Sequence, residues 1–478
     1  MATQFVGRKK EQEVLQKALQ SNEAEMVSVI GRRRIGKTFL IKTIYQEHIV
    51  FELTGVKDAT TEKQLQNFAL SLQEKIDYTV NIPAPKDWLE AFFTLTTYLR
   101  KIPQDKKYVV FLDELPWLSS SKTDFIHGLS YFWNSWAVNQ NIVVVICGSS
   151  ASWMIQKIVN DRGGLHNRIT RRLFLKPFTL AETEIYLKSR NINLNRYHVL
   201  QLFMAMGGIP HYLKEIDGGK SATQNIDDIC FTETGILRDE FSNLFTSLFD
   251  DSFNHIAVIR ALAKTHQGID RNTLIKTAKV SNGGTLTNVL EELHQSGFID
   301  SYAPFGKKTK DRLYRLTDEY SLFYLQFIEN QEFTESGTWH ELSQTQAYKI
   351  WCGYAFENIC LKHIAQIKKA MSIGGVYATA SSFLKKGNAT EKGTQIDLVL
   401  DRNDQTINLF EMKFYNQSFA VSKEYAQILQ SKKWVFEAET KTRKHLFLTL
   451  VTTFGITPNE HSVGLVDQVL TTDDLFLA

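Results

Sequence analysis

Apolar residues in the first third of the chain come in short runs rich in valine and isoleucine, each closed by small or charged residues. The runs in "EMVSVIG", "KKYVVFLDEL" and "NIVVVICGSS" are continuous rather than alternating, which predicts strands of a parallel sheet buried on both faces. The first run passes through a glycine-bounded loop into "GKTFLIKTIYQ", a helical pattern. Further on, "HIAVIRALAKTHQ", "DRNTLIKTAKV" and "GTLTNVLEELHQ" predict three helices. Two strands about a basic loop follow in "GFIDSYAPFGKKTKDRLYRLTD". Beyond Glu341, "YAFENICLKHI" sets Phe356, Ile359 and Ile364 at helical spacing, and "GTQIDLVLDR" and "INLFEMKFYN" predict two short strands.

Composition narrows this picture only in part. A length of 478 residues suggests roughly three domains, and 43% hydrophobic with 22% charged residues suits ordinary globular cores. The net charge of +3 means that any contact with nucleic acid must come from local patches. Four cysteines, Cys147, Cys230, Cys352 and Cys360, show neither metal-ligand spacing nor disulfide density, so they are expected to be reduced and structural. The start "MATQFVGRKKEQEVLQ" has no apolar core of a leader, and no stretch approaches a membrane span, so a cytoplasmic protein without membrane contact is expected.

Candidate chemistry begins at Gly31–Thr38, which matches G-x-x-x-x-G-K-[ST] between a strand and a helix. Backbone N–H groups of such a loop cradle phosphates, Lys37 reaches the β- and γ-phosphates, and the Thr38 hydroxyl ligates Mg²⁺. The whole loop, Gly31, Arg32, Arg33, Arg34, Ile35, Gly36, Lys37 and Thr38 with Phe39 after it, is therefore expected to bind ATP. Arg32, Arg33 and Arg34 have a second reading, a nucleic-acid patch or a contact to a neighbouring domain. Asp113 and Glu114 end an apolar strand, where two acids are costly unless they meet a cation or water. They stand as a Walker B pair, Asp113 holding Mg²⁺ and Glu114 polarising the attacking water. Ser149 and Ser150 arrive at the same edge, either to sense the γ-phosphate or as a plain strand-end cap.

Together "FVGRKKEQEVL", "GRRRIGKT", "FLDEL", "ICGSS" and "NRITRRLFLKPFTLAE" resemble the AAA+ ATPases, near the origin-recognition and signal-transducing branches, from Phe5 to about Leu213. The resemblance implies that Phe5 and Val6 line an adenine site and that a helical lid follows the core. It also offers Arg168, beside Arg171 and Arg172, as a finger completing a neighbour's site in a homo-oligomer; the alternative is a set of salt bridges to the lid. Where relatives carry a lid arginine, this chain reads "GGIPHYL" at 207–213, so that sensor is absent or displaced.

The helices and strands after the lid look like a winged helix-turn-helix, with Thr285–Ser296 as third helix and Lys307, Lys308 and Lys310 in the wing. Glu291 and Glu292 in that helix, without lysine or arginine, argue against specific base reading. Non-specific phosphate contact by the wing and a spacer role stand side by side.

In the last region, residues two apart on a strand point the same way, so Glu411 and Lys413 share a face. They are expected to face Asp397 on a paired strand, with Glu357 supplied by the helix. Three converging carboxylates repel one another unless a divalent cation binds among them. The set resembles the PD-(D/E)XK nuclease fold over about Tyr348 to Val466, with Gln395 and Ile396 where the family's proline would stand. The resemblance implies Glu357, Asp397 and Glu411 as ligands of Mg²⁺ or Mn²⁺ and Lys413 as catalytic lysine; Gln427 in the following helix is either a surface glutamine or a polar contact near the site.

The expected fold is α/β, with an AAA+ P-loop core at 1–175, a helical lid at 176–240, a winged helix-turn-helix at 241–335 and an α/β PD-(D/E)XK nuclease-like domain at 341–478. The expected activity is ATP hydrolysis coupled to a metal-dependent endonuclease acting on DNA without sequence preference or by its structure. The alternative is an ATP-driven signalling switch whose last domain binds a partner and cuts nothing.

Overall fold

The computed structural model describes residues 5–76, 79, 81–103, 106–119, 124–160, 163–249, 251–265, 268–331, 337–387 and 393–478. It divides into two compact units, Met1–Pro177 with Ser247–Asp250, and Phe178–Thr246 with Asp251–Ala478. The segment boundaries expected at 240 and 341 both fall inside the second unit, and that at 335 lies outside the described residues.

In the first unit, β1 (Glu25–Ile30), β2 (Ile49–Thr54), β3 (Tyr108–Asp113), β4 (Ile142–Gly148) and β5 (Arg171–Phe174) form one parallel sheet in the order β2-β3-β4-β1-β5. Every residue of β1, β3 and β4 is buried, as the continuous apolar runs require. Alternate side chains on one face, among them Met26, Val110, Leu112 and Val144, pack with Phe68, Trp88, Phe92 and Phe125 from the helices beneath. Because the strands are parallel, their carboxyl ends share one edge, bringing Gly31, Asp113 and Ser149 together.

The second unit opens with the helices Leu180–Ser189, Arg196–Met206 and Ala222–Cys230. Gly208 lets the chain cross itself: Phe178 N–H donates to Gly208 O at 2.7 Å, and a Cβ at Gly208 would stand 2.0 Å from Phe178 O. The arginine-free "GGIP" stretch thus serves backbone approach. Next come the helices Phe253–Ala263, Arg271–Ala278 and Gly284–Gln295 with an antiparallel sheet of β6 (Ile269–Asp270), β7 (Ile299–Tyr302) and β8 (Leu313–Leu316), ordered β6-β8-β7.

The remainder is a mixed sheet of β9 (Ala378–Lys385), β10 (Thr394–Arg402), β11 (Thr406–Lys413), β13 (His445–Thr452) and β15 (Gln468–Thr471), ordered β15-β13-β11-β10-β9. A short parallel pair, β12 (Phe419–Ala420) with β14 (Ile456–Thr457), stands apart. β10 and β11 are antiparallel, whereas β11 and β13 are parallel and are joined through the helix Lys423–Thr440. One face packs Ile407 and Leu409 against Leu429 and Phe436 of that helix. The helix Gln346–Lys362 lies along β11.

His363 staples this helix to the start of the unit. Its Nδ1–H donates to Ile359 O at 2.7 Å, while Nε2 accepts from Leu180 N–H at 3.1 Å. That bonding requires a neutral ring, and burial pushes its pKa down from 6.5 to about 4. The unfolded chain therefore binds the proton more readily than the native one, so stability falls as pH drops from about 6.5 to about 4 and levels off below. His363→Gln should flatten that segment of the pH–stability curve, as measured by hydrogen exchange in the helix Gln346–Lys362.

Candidate functional site

The loop after β1 turns tightly. A Cβ at Gly31 would meet Ile35 Cδ1 at 2.4 Å and Leu175 O at 2.6 Å, so only glycine fits there. Ile35 is buried, and Arg8 Nη2 donates to its carbonyl at 3.0 Å. Lys37 is buried at the start of its helix, and its Nζ donates to Gly31 O at 2.8 Å and Arg32 O at 3.2 Å. Arg32 is buried, Arg34 half-buried and Arg33 exposed, so the three arginines do not make one surface patch.

Thr38 Oγ1 donates to Asp113 Oδ2 at 2.6 Å, which joins the two residues expected to hold Mg²⁺. Glu114 takes a left-handed backbone, φ 48°, and its N–H donates to Asp113 Oδ1 at 2.9 Å. Its carboxylate accepts from Ser149 N–H at 3.1 Å and Oγ–H at 2.7 Å. Ser149 thus aims Glu114, and Ser150 starts the next short helix. Phe5 stacks on Phe39 with ring centroids 5.7 Å apart, and Val6 beside it is half-buried. A close-approach glycine, a lysine folded on the loop and a hydroxyl–carboxylate pair at one edge fit a magnesium nucleotide.

Arg168 stands elsewhere. It borders a cavity of about 460 Å³ with Asn139 and Asn141, before the amino ends of β4 and β5. That edge is opposite the loop, roughly 20 Å along a six-residue strand, so Arg168 does not reach its own subunit's phosphate cradle. Arg171 Nη2 donates to Glu25 Oε1 of β1 at 2.7 Å, and Arg172 is exposed. Arg171 is therefore tied within the sheet and not to the lid.

The second constellation lies in the second unit. β10 pairs with β11 as far as Leu398–Phe410 and bulges against β9 between Ile396 and Val399, which sets Asp397 in the bulge at the end of that pairing, near Glu411. They line one cavity with Lys413 and with Glu357 from the helix Gln346–Lys362, so all four expected residues meet. Glu411 is buried; Tyr425 Oη donates to Oε2 at 2.8 Å, Lys432 Nζ donates to Oε1, and Lys413 Nζ stands 3.6 Å from Oε2. Arg315 of β8 donates to Glu357 Oε1 at 2.7 Å, with both side chains 12% exposed.

Burial holds the Glu357 carboxyl above its usual range against the pull of Arg315. The Asp397 carboxyl is held well above its usual range, first by burial and then by the carboxylates of Glu357 and Glu411. Among the described residues no hydrogen bond reaches Asp397, and no three His, Cys, Asp or Glu stand as a group able to hold a metal ion. Asp397 sits unbonded in the field of two further acids, Glu357 and Glu411. In this arrangement Lys432 and Arg315 compensate the charge.

Sequence reasoning missed Tyr425, Lys432 and Arg315. Tyr425 and Lys432 are seven apart, hence on one helix face, and that period was the available signal. Gln427, two residues on from Tyr425, is exposed and does not join the site. Arg315 carried no local signal, since only the fold brings β8 to Glu357. In the segment with β6 to β8 the third helix runs Gly284–Gln295, and Lys307, Lys308 and Lys310 are exposed. Phe305 N–H donates to Ser382 O of β9 at 2.7 Å, which pins the base of that loop.

The parallel sheet, the glycine loop and the acids at the strand ends define a P-loop nucleotide-binding domain in the first unit. Residues 5–216 match the family model described as an ATPase domain predominantly from Archaea. The chain is 25% identical over 416 residues to the uncharacterized protein MJECL04 of Methanocaldococcus jannaschii, covering 86% of this chain and 87% of that one. It is 25% identical over 293 residues to the uncharacterized ATP-binding protein MJ1659 of the same archaeon, covering 52% of this chain and 80% of the relative. Among solved structures, the Walker-type ATPase paby2304 of Pyrococcus abyssi aligns with TM-score 0.49 at 16% identity, over 67% of this chain and 96% of that one. The ORC2 protein of Aeropyrum pernix aligns with TM-score 0.39 at 17% identity, over 71% and 95%. The N-terminal part of the chain is an ATP-binding ATPase domain of the archaeal type. Among the described residues no helix is long and apolar enough to cross a membrane.

Arg315 and Glu357 give a direct test of the second constellation. Arg315→Gln leaves a buried acid without its cation and should destabilise the second unit by about 3 kcal/mol. Arg315→Gln with Glu357→Gln should recover most of that loss, as read from urea unfolding followed in the helix Gln346–Lys362.

Proposed function

We propose that the chain is an AAA+ ATPase that works as a homo-oligomer and couples ATP binding and hydrolysis to a metal-dependent nuclease of the PD-(D/E)XK kind acting on DNA. The observation that carries the nuclease part is the meeting of Glu357, Asp397, Glu411 and Lys413 in one cavity. In this reading Mg²⁺ or Mn²⁺ is held by Glu357, Asp397 and Glu411, taking over the charge compensation of Lys432 and Arg315. The ion would supply Lewis acidity and a more acidic bound water. Lys413 stabilises charge on the phosphate, and Tyr425 orients Glu411. The three-stranded module of β6 to β8 is read as a winged helix whose exposed lysines touch phosphate without reading bases.

At the ATP site, Thr38 and Asp113 hold Mg²⁺, Lys37 meets the phosphates, and Glu114, aimed by Ser149, positions the attacking water. Arg168, at the edge away from its own loop, suits a finger offered to a neighbouring subunit. Nucleotide turnover then changes the assembly and gates the nuclease.

A second reading has its own support: Glu411 and Glu357 are already ion-paired, and such a site also fits an inactive module that binds a partner under ATP control. Cleavage assays separate the two. Asp397→Ala should abolish Mn²⁺-dependent cutting, and Lys413→Ala should abolish it while keeping metal and DNA binding; ATP hydrolysis should survive both. Cutting at the wild-type rate in both variants sinks the nuclease reading, and a wild type that cuts no DNA under any metal or nucleotide favours the partner-binding one.

The ATP site makes a separate expectation. Lys37→Ala should weaken nucleotide binding, whereas Glu114→Gln should retain ATP and slow its hydrolysis about 100-fold or more. Isothermal titration and phosphate release measure the two; undiminished turnover in Glu114→Gln removes that residue from the mechanism.

A further inference from the structure

The cavity above Glu357, Asp397 and Glu411 is larger than a divalent ion and a single phosphate need. Its volume is about 1010 Å³, and the acids lie against walls from several elements of the second unit. Tyr197 and Met204 come from the helix Arg196–Met206, Ile226 from Ala222–Cys230, and Trp339 from the helix Thr338–Leu342. A volume at the upper end of small-molecule pockets, ~300–1,000 Å³, admits a few linked nucleotides. A rigid double helix, whose major groove alone is ~12 Å wide, is not enclosed by a space of this volume and can at most lie across its mouth.

The walls carry aromatic rings, of which Phe414 stacks on Tyr197 and Tyr348 packs edge-on against Trp339, leaving Tyr415 the most open. Tyr348 and Phe414 line the cavity and are half-buried, and Tyr415 at its border is 43% exposed. Flat rings of this kind stack on bases of any sequence, whereas bases within a duplex already stack on one another. Charge alone does not fill the cavity. Lys349, Lys413 and Lys432 in its lining are matched by Glu357, Asp397 and Glu411, so stacking has to carry much of the affinity.

We infer that this cavity takes an unpaired polynucleotide strand, so that the substrate of the site is single-stranded or locally melted nucleic acid and not intact duplex. The inference rests on the nuclease reading for chemistry, but its binding part stands on the cavity alone. With its three lysines matched by three acids, the affinity should depend on salt more weakly than the log–log slope of about −2 that three unmatched lysines would give on a single strand. A duplex held on an exposed basic surface would show a steeper slope.

The test uses the full chain with fluorescent twelve-nucleotide strands of DNA and of RNA and the DNA duplex of the same sequence, in a chelating buffer. Fluorescence anisotropy should show single strands binding at least about tenfold more tightly than duplex. Tyr415→Leu and Tyr348→Leu should each weaken single-strand binding at least about fivefold and leave duplex binding unchanged. Tyr415 is exposed, so its substitution leaves the core intact, and circular dichroism checks both variants. The DNA and RNA arms tell which sugar the cavity prefers, and tight binding of either supports the inference. Equal affinity for duplex, or no effect of both tyrosine variants in proteins that fold, overturns it. Adding Mn²⁺ then separates the two ideas. Single strands bound but never cut leave the ligand class standing and remove the nuclease, whereas duplex bound and cut as readily as single strand removes the ligand class and keeps the nuclease.

Discussion

A carboxylate taken from water has to be met by a cation, a hydrogen-bond donor or a proton, and both candidate sites of this chain are organised by that demand. Asp113 accepts from Thr38, Glu114 from Ser149, Glu411 from Lys432 and Tyr425, and Glu357 from Arg315. Only Asp397 lacks such a donor among the described residues, and its carboxyl is the one pushed furthest toward the protonated form.

The two constellations meet the demand differently. At the P-loop the partners are close in the fold's own logic, since parallel strands deliver their ends to one edge and the loop supplies backbone donors and a lysine. In the second unit the acids of β11 and of the helix Gln346–Lys362 find partners on two other elements, β8 and the helix Lys423–Thr440. An ion pair ties the three-stranded module to the helix Gln346–Lys362, and the Phe305–Ser382 hydrogen bond and Phe305 packing 5.0 Å from Phe436 tie it to the mixed sheet and its helix. A loop whose base is pinned in this way presents its lysines from a fixed platform. Arg315 and Lys432 therefore compensate the acids of the cavity and hold the elements around it together at the same time.

The glycine-loop motif, the strand-end acids and the order of chemical groups in the last region were all legible along the chain, because each is carried by local spacing. Gly31 and Lys37 lie within one loop, Asp113 and Glu114 end one apolar run, and Glu411 and Lys413 sit on one strand with period two. Tertiary structure decided what no local pattern states: that Arg168 stands at the edge away from its own loop, that Tyr425 and Lys432 rather than Gln427 face Glu411, and that Arg315 reaches Glu357 across 42 residues. It also decided that helices from near residues 200 and 225 wall the acidic cavity. Periodicity shows which face of an element is apolar, but the partner that covers a buried charge is chosen by how distant elements pack, and packing is a property of the whole unit.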